Sequence, residues 1–157
     1  MSRDKFVYNM YSRRLGTMNK LKSHRQTLID FQSKLFPSDD SSESEANVDS
    51  GINYSWAAVV IASLSQMPIA ATTLYKGSSS VSRFSVGMAF VEETYRGRGV
   101  WGQMSDLIEE EARAMGAQFL IRNISSDVLF LQSSLLSRGY VFDHNAENWP
   151  TEMFKKL

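Results

Sequence analysis

Residues 84–104 constrain this chain more than any other stretch: an apolar strand runs into Tyr95-Arg96-Gly97-Arg98-Gly99-Val100, where an amphipathic helix begins. The first backbone N–H groups of a helix have no internal partner, and the aligned peptide dipoles favour an anion at that end. Gly97 and Gly99 let the backbone curl so that several N–H groups converge on one oxyanion, with no Cβ in the way. Arg96 and Arg98 add positive charge. The pattern points to a ligand carrying a diphosphate. An Arg-Gly-Arg-Gly run also suits a solvated turn or a segment that contacts nucleic acid. The apolar strand before it and the long helix after it favour the phosphate site.

The rest of the composition narrows the class by exclusion. With 157 residues, 43% apolar and 22% charged, the chain suits one domain with a real core. Zero formal charge argues against a protein that holds nucleic acid by bulk positive charge. The absence of cysteine removes disulfide frameworks, zinc-thiolate sites and acyl transfer through a cysteine nucleophile. His24 and His144 are the only histidines, too few and too far apart to suggest a metal site. The longest apolar run, residues 57–64, is far below membrane-spanning length, and residues 1–11 lack the apolar core of a signal peptide. The expected location is the cytoplasm, with no membrane partner.

Charge and periodicity divide the chain further. Residues 1–36 carry eight Lys or Arg against two acids, and residues 37–50 carry five acids and no base. The expectation is a basic strand-and-helix portion over 1–36, a flexible acidic loop over 37–53, and a core over 54–157, all in a single domain. Residues 5–11 suit a first strand, and 15–36 have near-helical apolar spacing, as one helix or two short ones. Strands over 54–64 and 69–75, joined by Ser65-Gln66-Met67-Pro68, should form a hairpin. Residues 81–91 are the next strand, made unusually small by Gly87 and Ala89. Val100, Met104, Leu107, Ile108, Ala112 and Met115 form one helical stripe, ended by Gly116. A strand over 118–124, a helix over 127–138 ended by Gly139, and closing strands over 140–142 and 152–157 complete the order.

At this point the chain resembles the GCN5-related N-acetyltransferases (GNAT). Their acyl-CoA turn follows a strand with the pattern Gln/Arg-x-x-Gly-x-Gly/Ala, and here it runs Arg96-Gly97-Arg98-Gly99-Val100-Trp101. The likeness continues through Gly116, through Arg138-Gly139-Tyr140 where the family usually has Gly-Phe, to the terminal Met153-Phe154-Lys155-Lys156-Leu157. It spans residue 54 to the C-terminus, about two thirds of the chain. It implies an α/β (α+β) fold: a mixed, mainly antiparallel central sheet of about six or seven strands flanked by helices, in the order β-α(α)-β-β-β-α-β-α-β-β.

The resemblance also implies a chemistry: acetyl transfer from acetyl-CoA to an amine by direct attack in a ternary complex. The pyrophosphate would rest on Arg96, Gly97, Arg98, Gly99, Val100, Trp101 and Gly102, and the pantetheine along Ala89, Phe90 and Val91. Trp101 replaces the pattern's second small residue, so its side chain should point away from the diphosphate, with Gly102 relieving the crowding. Many members place an Asn at the start of the later helix and a Tyr one turn before its end, which protonates the departing thiolate. Counting back from Gly139, those positions hold Val128 and Leu135, and neither donates a proton. Asp127, Ser133 and Ser134 are candidate substitutes, but none inherits the role by spacing, since one residue of helical offset swings a side chain by about 100°. Candidate bases are Glu92 and Glu93 after the strand, and less directly Asp143 or His144; each also reads as an exposed surface residue. The alternatives are a GNAT-fold binding module without chemistry and a nucleic-acid-associated factor using the basic helix. The acidic run of Asp39, Asp40, Glu43, Glu45 and Asp49 would favour a cationic acceptor. Oligomeric state stays open, a homodimer included.

Overall fold

The computed structural model describes residues 5–37, 40–77, 82–124, 129–143 and 152–157. Strand β1 (Phe6–Ser12) leads into a 3-10 helix (Met18–His24) and α1 (Arg25–Leu35), so the apolar spacing of this region resolves into two short helices rather than one. Helix α2 (Ser41–Ser50) and a π-helical turn (Gly51–Ser55) come next. Then follow β2 (Trp56–Leu64), β3 (Met67–Lys76) and β4 (Arg83–Val91). The chain closes with α3 (Val100–Ala114), β5 (Phe119–Asn123), α4 (Leu129–Ser137), β6 (Val141–Phe142) and β7 (Glu152–Lys156). The seven strands form one mixed sheet in the order β1-β2-β3-β4-β5-β7-β6. Every pairing is antiparallel except β4 with β5. The expected α+β fold and element order are therefore observed.

Strand β2 shows why the sheet is covered on both faces. Its alternating side chains divide between two cores: Ala58, Val60 and Ala62 face α3, while Val59 and Ile61 face α1. Met104, Ile108 and Ala112 of α3 fill the first core, and Leu28, Ile29 and Phe31 of α1 fill the second. Both layers grip the central strands and leave the ends of β4 and β5 to the cavity described below.

Two expectations are corrected. The acidic stretch is not a loop over 37–53: Asp40 caps α2, its Oδ1 accepting from the Glu43 N–H at 2.8 Å. Val48 is buried, and Asp49 takes a two-pronged ion pair from Arg25 of α1 at 2.7 and 2.9 Å. Local capping and packing on α1 thus replace the apolar periodicity this stretch lacks. The hairpin is also tighter than the four residues expected. Ser65 and Gln66 both adopt positive φ, 49° and 68°, as a two-residue turn requires, and Met67 and Pro68 pair with Leu64 and Ser63 inside the sheet.

Candidate functional site

The site begins with a defect in the sheet. Strand β3 advances two residues between Thr72 and Leu74 while β4 advances three between Val86 and Ala89, so β4 carries a bulge at Gly87 and Met88. The peptide groups of Met88 are satisfied by side chains of β3. The Thr73 hydroxyl accepts from the Met88 N–H at 2.8 Å, and the Thr72 hydroxyl donates to the Met88 carbonyl at 2.9 Å. Both threonines are buried, and an unpaired peptide group there would be costly. Gly87 is small for a steric reason: a Cβ would lie 2.2 Å from the Tyr75 ring and 2.8 Å from the Thr73 hydroxyl oxygen.

Past the bulge, β4 parts from its parallel neighbour. The β4–β5 ladder ends at Val86 opposite Arg122, and β4 continues to Val91 without it. The Met88 and Glu92 N–H groups point to β3, the latter onto the Ile69 carbonyl at 2.8 Å. Strand alternation therefore turns the N–H groups of Ala89 and Val91 toward the gap. A cavity of about 440 Å³ fills this gap, with Ala89, Phe90 and Val91 along one side.

The upper rim is the turn between β4 and α3. Gly97 and Gly99 both have positive φ, 78° and 82°, a region that L residues rarely adopt. Nothing lies within 4 Å of a Cβ built on either, so their outer face is open. No side chain caps α3, and its first turn holds no acid, so the N–H groups there keep their pull on an anion. Arg96 ties the turn to the strand, its Nε donating to the Val91 carbonyl at 3.0 Å. Arg96, Gly97 and Gly99 line the cavity, as do Val100, Trp101 and Gly102. Arg98 lies instead over the Tyr95 ring, 5.5 Å from its centroid.

The opposite wall comes from β5 and α4. Leu135 is fully buried and lines the cavity beside Ser134, whereas Ser133 is exposed. Val128, Asp127 and His144 lie outside the described residues. Glu92 accepts an ion pair from Lys34 of α1 at 2.7 Å, Glu93 is exposed in a 3-10 turn (Glu93–Tyr95), and Asp143 follows β6 with its N–H on the Glu152 carbonyl. Neither glutamate nor Asp143 lines the cavity. The guanidinium groups of Arg122 and Arg138 lie 5.3 and 5.7 Å from the centroid of the Trp101 ring. A Cβ built on Gly102 would meet Arg138 Nη1 at 3.9 Å, an ordinary contact.

Arg122 escaped the sequence reading. It is 5% exposed, lines the cavity, and touches the Ser105 hydroxyl at 3.3 Å and the Tyr140 ring at 5.3 Å. The signal was its parity, since Leu120, Arg122 and Ile124 alternate on the buried side of β5. Tyr140 is buried as well, and its hydroxyl donates to Glu109 at 3.1 Å. Burial pushes its phenol above the ordinary value, against the opposing charge and hydrogen bonding of Arg122.

No protein-family model matches the sequence, and no curated protein does. Solved structures do match over nearly the whole chain. A GNAT-family acetyltransferase from Staphylococcus aureus has a TM-score of 0.75 at 12% identity, covering 98% of this chain and 99% of that one. An aminoglycoside N-acetyltransferase in complex with CoA has a TM-score of 0.74 at 14% identity, covering 94% and 95%. The PaiA N-acetyltransferase from Thermoplasma acidophilum, in complex with coenzyme A, has a TM-score of 0.66 at 9% identity, covering 98% and 99%. This chain therefore has the fold of the GNAT acetyltransferases, down to the parallel β4–β5 pair inside an otherwise antiparallel sheet.

Proposed function

We propose that this protein is an acyl-CoA-dependent N-acyltransferase. The observation that carries this reading is one continuous cavity joining the open N-terminus of α3 to the gap where β4 leaves β5. The first suits a diphosphate, and the second suits an extended amide-bearing arm that pairs with a strand edge. The residues fit CoA on that ground: Gly97 and Gly99 leave the anion's approach open, and Ala89 and Val91 offer N–H groups along the arm. Three of the similar structures are complexes with CoA.

In this reading the amine nitrogen attacks the thioester carbonyl carbon, the C–S bond breaks, and the thiolate leaves as the ammonium proton is lost. A backbone N–H of the splayed strand steadies the oxyanion that develops. Glu92 is the nearest carboxylate in sequence to the strand end, and its carboxylate is held by Lys34; a proton reaches it through water. Leu135 supplies no proton to the departing sulfur, and Ser134 offers the nearest hydroxyl on that wall. A thiol with a pKa near 8.5 departs without a strong acid, so transfer proceeds at reduced rate. The acceptor enters from the α1–α2 side as a cationic amine, drawn by the acids on and before α2. Structures like this one include aminoglycoside acetyltransferases, one with a bisubstrate analogue of CoA and acetylneamine. Only part of that acidic rim is available to it, because Asp40 caps a helix and Asp49 is paired with Arg25.

The test is thiol release from acetyl-CoA with a panel of polyamines, aminoglycosides and lysine peptides. Amine-dependent release above hydrolysis, with the acyl-amine found by mass spectrometry, is the expected result. CoA binding with no acceptor-dependent release across the panel would favour the binding-module alternative, which the aliphatic Leu135 supports.

A further inference from the structure

Among the described residues, Arg122 is a buried cation without a paired anion. It is 95% buried and lines the cavity, yet among the described residues no carboxylate lies within ion-pairing distance of it. Its Nε has no hydrogen-bond partner among the described residues. The acids nearby are engaged by other groups. Glu109 receives the Tyr140 hydroxyl and the Lys155 ammonium, both at 3.1 Å, with Arg138 at 3.9 Å. Asp106 pairs with Arg138. What Arg122 does have is the Ser105 hydroxyl, a hydrogen bond with the Tyr140 phenol, and the rings of Trp101 and Tyr140, all of them neutral. A guanidinium taken out of water without a counter-charge is costly, and an anion at this place would offset that cost.

The position of this charge separates it from the diphosphate. Ser105 lies five residues into α3 from Val100, about 7.5 Å down the helix axis at 1.5 Å per residue. The backbone of Arg122 is level with Val86, where the gap between the strands closes. The helix N-terminus that receives the diphosphate is therefore above, and the closed end of the cavity is beside, the guanidinium. We infer that Arg122 receives a carboxylate at the far end of the acyl group, so that the favoured donor is the CoA thioester of a dicarboxylic acid, such as succinyl-CoA. The Ser105 hydroxyl and the unpartnered Nε flank the place the carboxylate oxygens take. This inference rests on the acyl-CoA assignment above and deepens it.

Calorimetric titration with CoA, butyryl-CoA and succinyl-CoA tests it, since the two acyl chains share four carbons and differ in the terminal carboxylate. The parent should bind succinyl-CoA at least about tenfold more tightly than butyryl-CoA, as befits a charge-assisted hydrogen bond in a dry site. In Arg122→Met the ratio should fall to about one, and Arg122→Lys should keep part of it. The parent measurement needs no variant to fold. Equal affinity of the parent for the two thioesters overturns the inference. So does an equal loss of all three ligands in Arg122→Met with the ratio retained, which would give Arg122 a diphosphate or structural role. A parent that binds none of the three overturns the acyl-CoA assignment too, whereas CoA binding without preference overturns this inference alone.

Discussion

The two walls of the cavity are made of different material. The β4–α3 wall is backbone: a bulge, a strand edge, and two glycines at positive φ ahead of an uncapped helix. The β5–α4 wall is side chain: an aliphatic Leu135 and a buried Arg122, whose guanidinium lies 5.3 Å from the Trp101 ring of α3. In the proposed reading, the backbone wall recognises what all acyl-CoA molecules share. A side-chain wall is free to differ, and here it holds an aliphatic Leu135 and a buried guanidinium with no carboxylate paired to it among the described residues. The difference teaches where generic binding ends and this chain's own chemistry begins.

The most forceful way to break that contrast is to give the side-chain wall the group it lacks. Leu135→Tyr should raise the rate of the chemical step by up to about 10²-fold, the scale of a positioned general acid. Single-turnover kinetics would show it. An unchanged rate in a folded, CoA-binding variant would mean that another donor serves or that none is needed.

Damage to the backbone wall should register as stability. Thr73→Val removes the acceptor for the buried Met88 N–H, and should cost about 1–3 kcal/mol in denaturant unfolding. Gly87→Ala forces a Cβ to within 2.2 Å of the Tyr75 ring, and should cost about 1–3 kcal/mol while weakening CoA. Neither loss is expected on the other wall from Ser133→Ala, whose side chain is exposed. If the bulge variants kept full stability, the hydroxyls would not be what holds the strand apart.

How much of this was legible follows from the same division. The strand, the glycine turn and the helix over residues 84–104 are local, and sequence spacing reports them directly. The bulge was only half visible. Gly87 stood out as small, but the Thr72 and Thr73 hydroxyls that complete it come from another strand. Helix α2 was missed because Val48 is nearly its sole apolar anchor, although Asp40-Ser41-Ser42-Glu43 carries the acid spacing of a helix start. Arg122 was missed because an arginine in a strand reads as an outward residue unless the parity of its neighbours is followed. Its partners, Ser105 and Tyr140, lie 17 and 18 positions away.

Smaller effects sharpen the picture around the acceptor side. The Asp40 carboxyl is held below its ordinary 3.8, first by the Ser42 hydroxyl and then by the Glu43 N–H. A lowered folded value means that the cap's contribution is present above the ordinary value and lost as pH falls through the lowered one. Helix content at α2 should therefore fade only below about pH 4, and Asp40→Asn should flatten that dependence in circular dichroism. Smallest of all, Glu43→Gln with Glu45→Gln should lower kcat/KM for a cationic amine by about twofold to fivefold at low salt, with the gap closing as salt rises. Identical kinetics at both ionic strengths would leave α2 with no part in steering.

The central claim is that the open N-terminus of α3 receives the diphosphate of an acyl-CoA, and calorimetry of CoA with Gly99→Asp meets it most directly. The substitution sets a carboxylate and a Cβ where the anion approaches, at a φ of 82° that only glycine adopts with ease. Gly116→Ala, at a φ of 89° beyond the other end of the same helix, controls for strain alone. The account predicts that the parent and the Gly116 variant bind CoA while Gly99→Asp loses most of the affinity. Equal binding by all three would contradict it and put the site elsewhere.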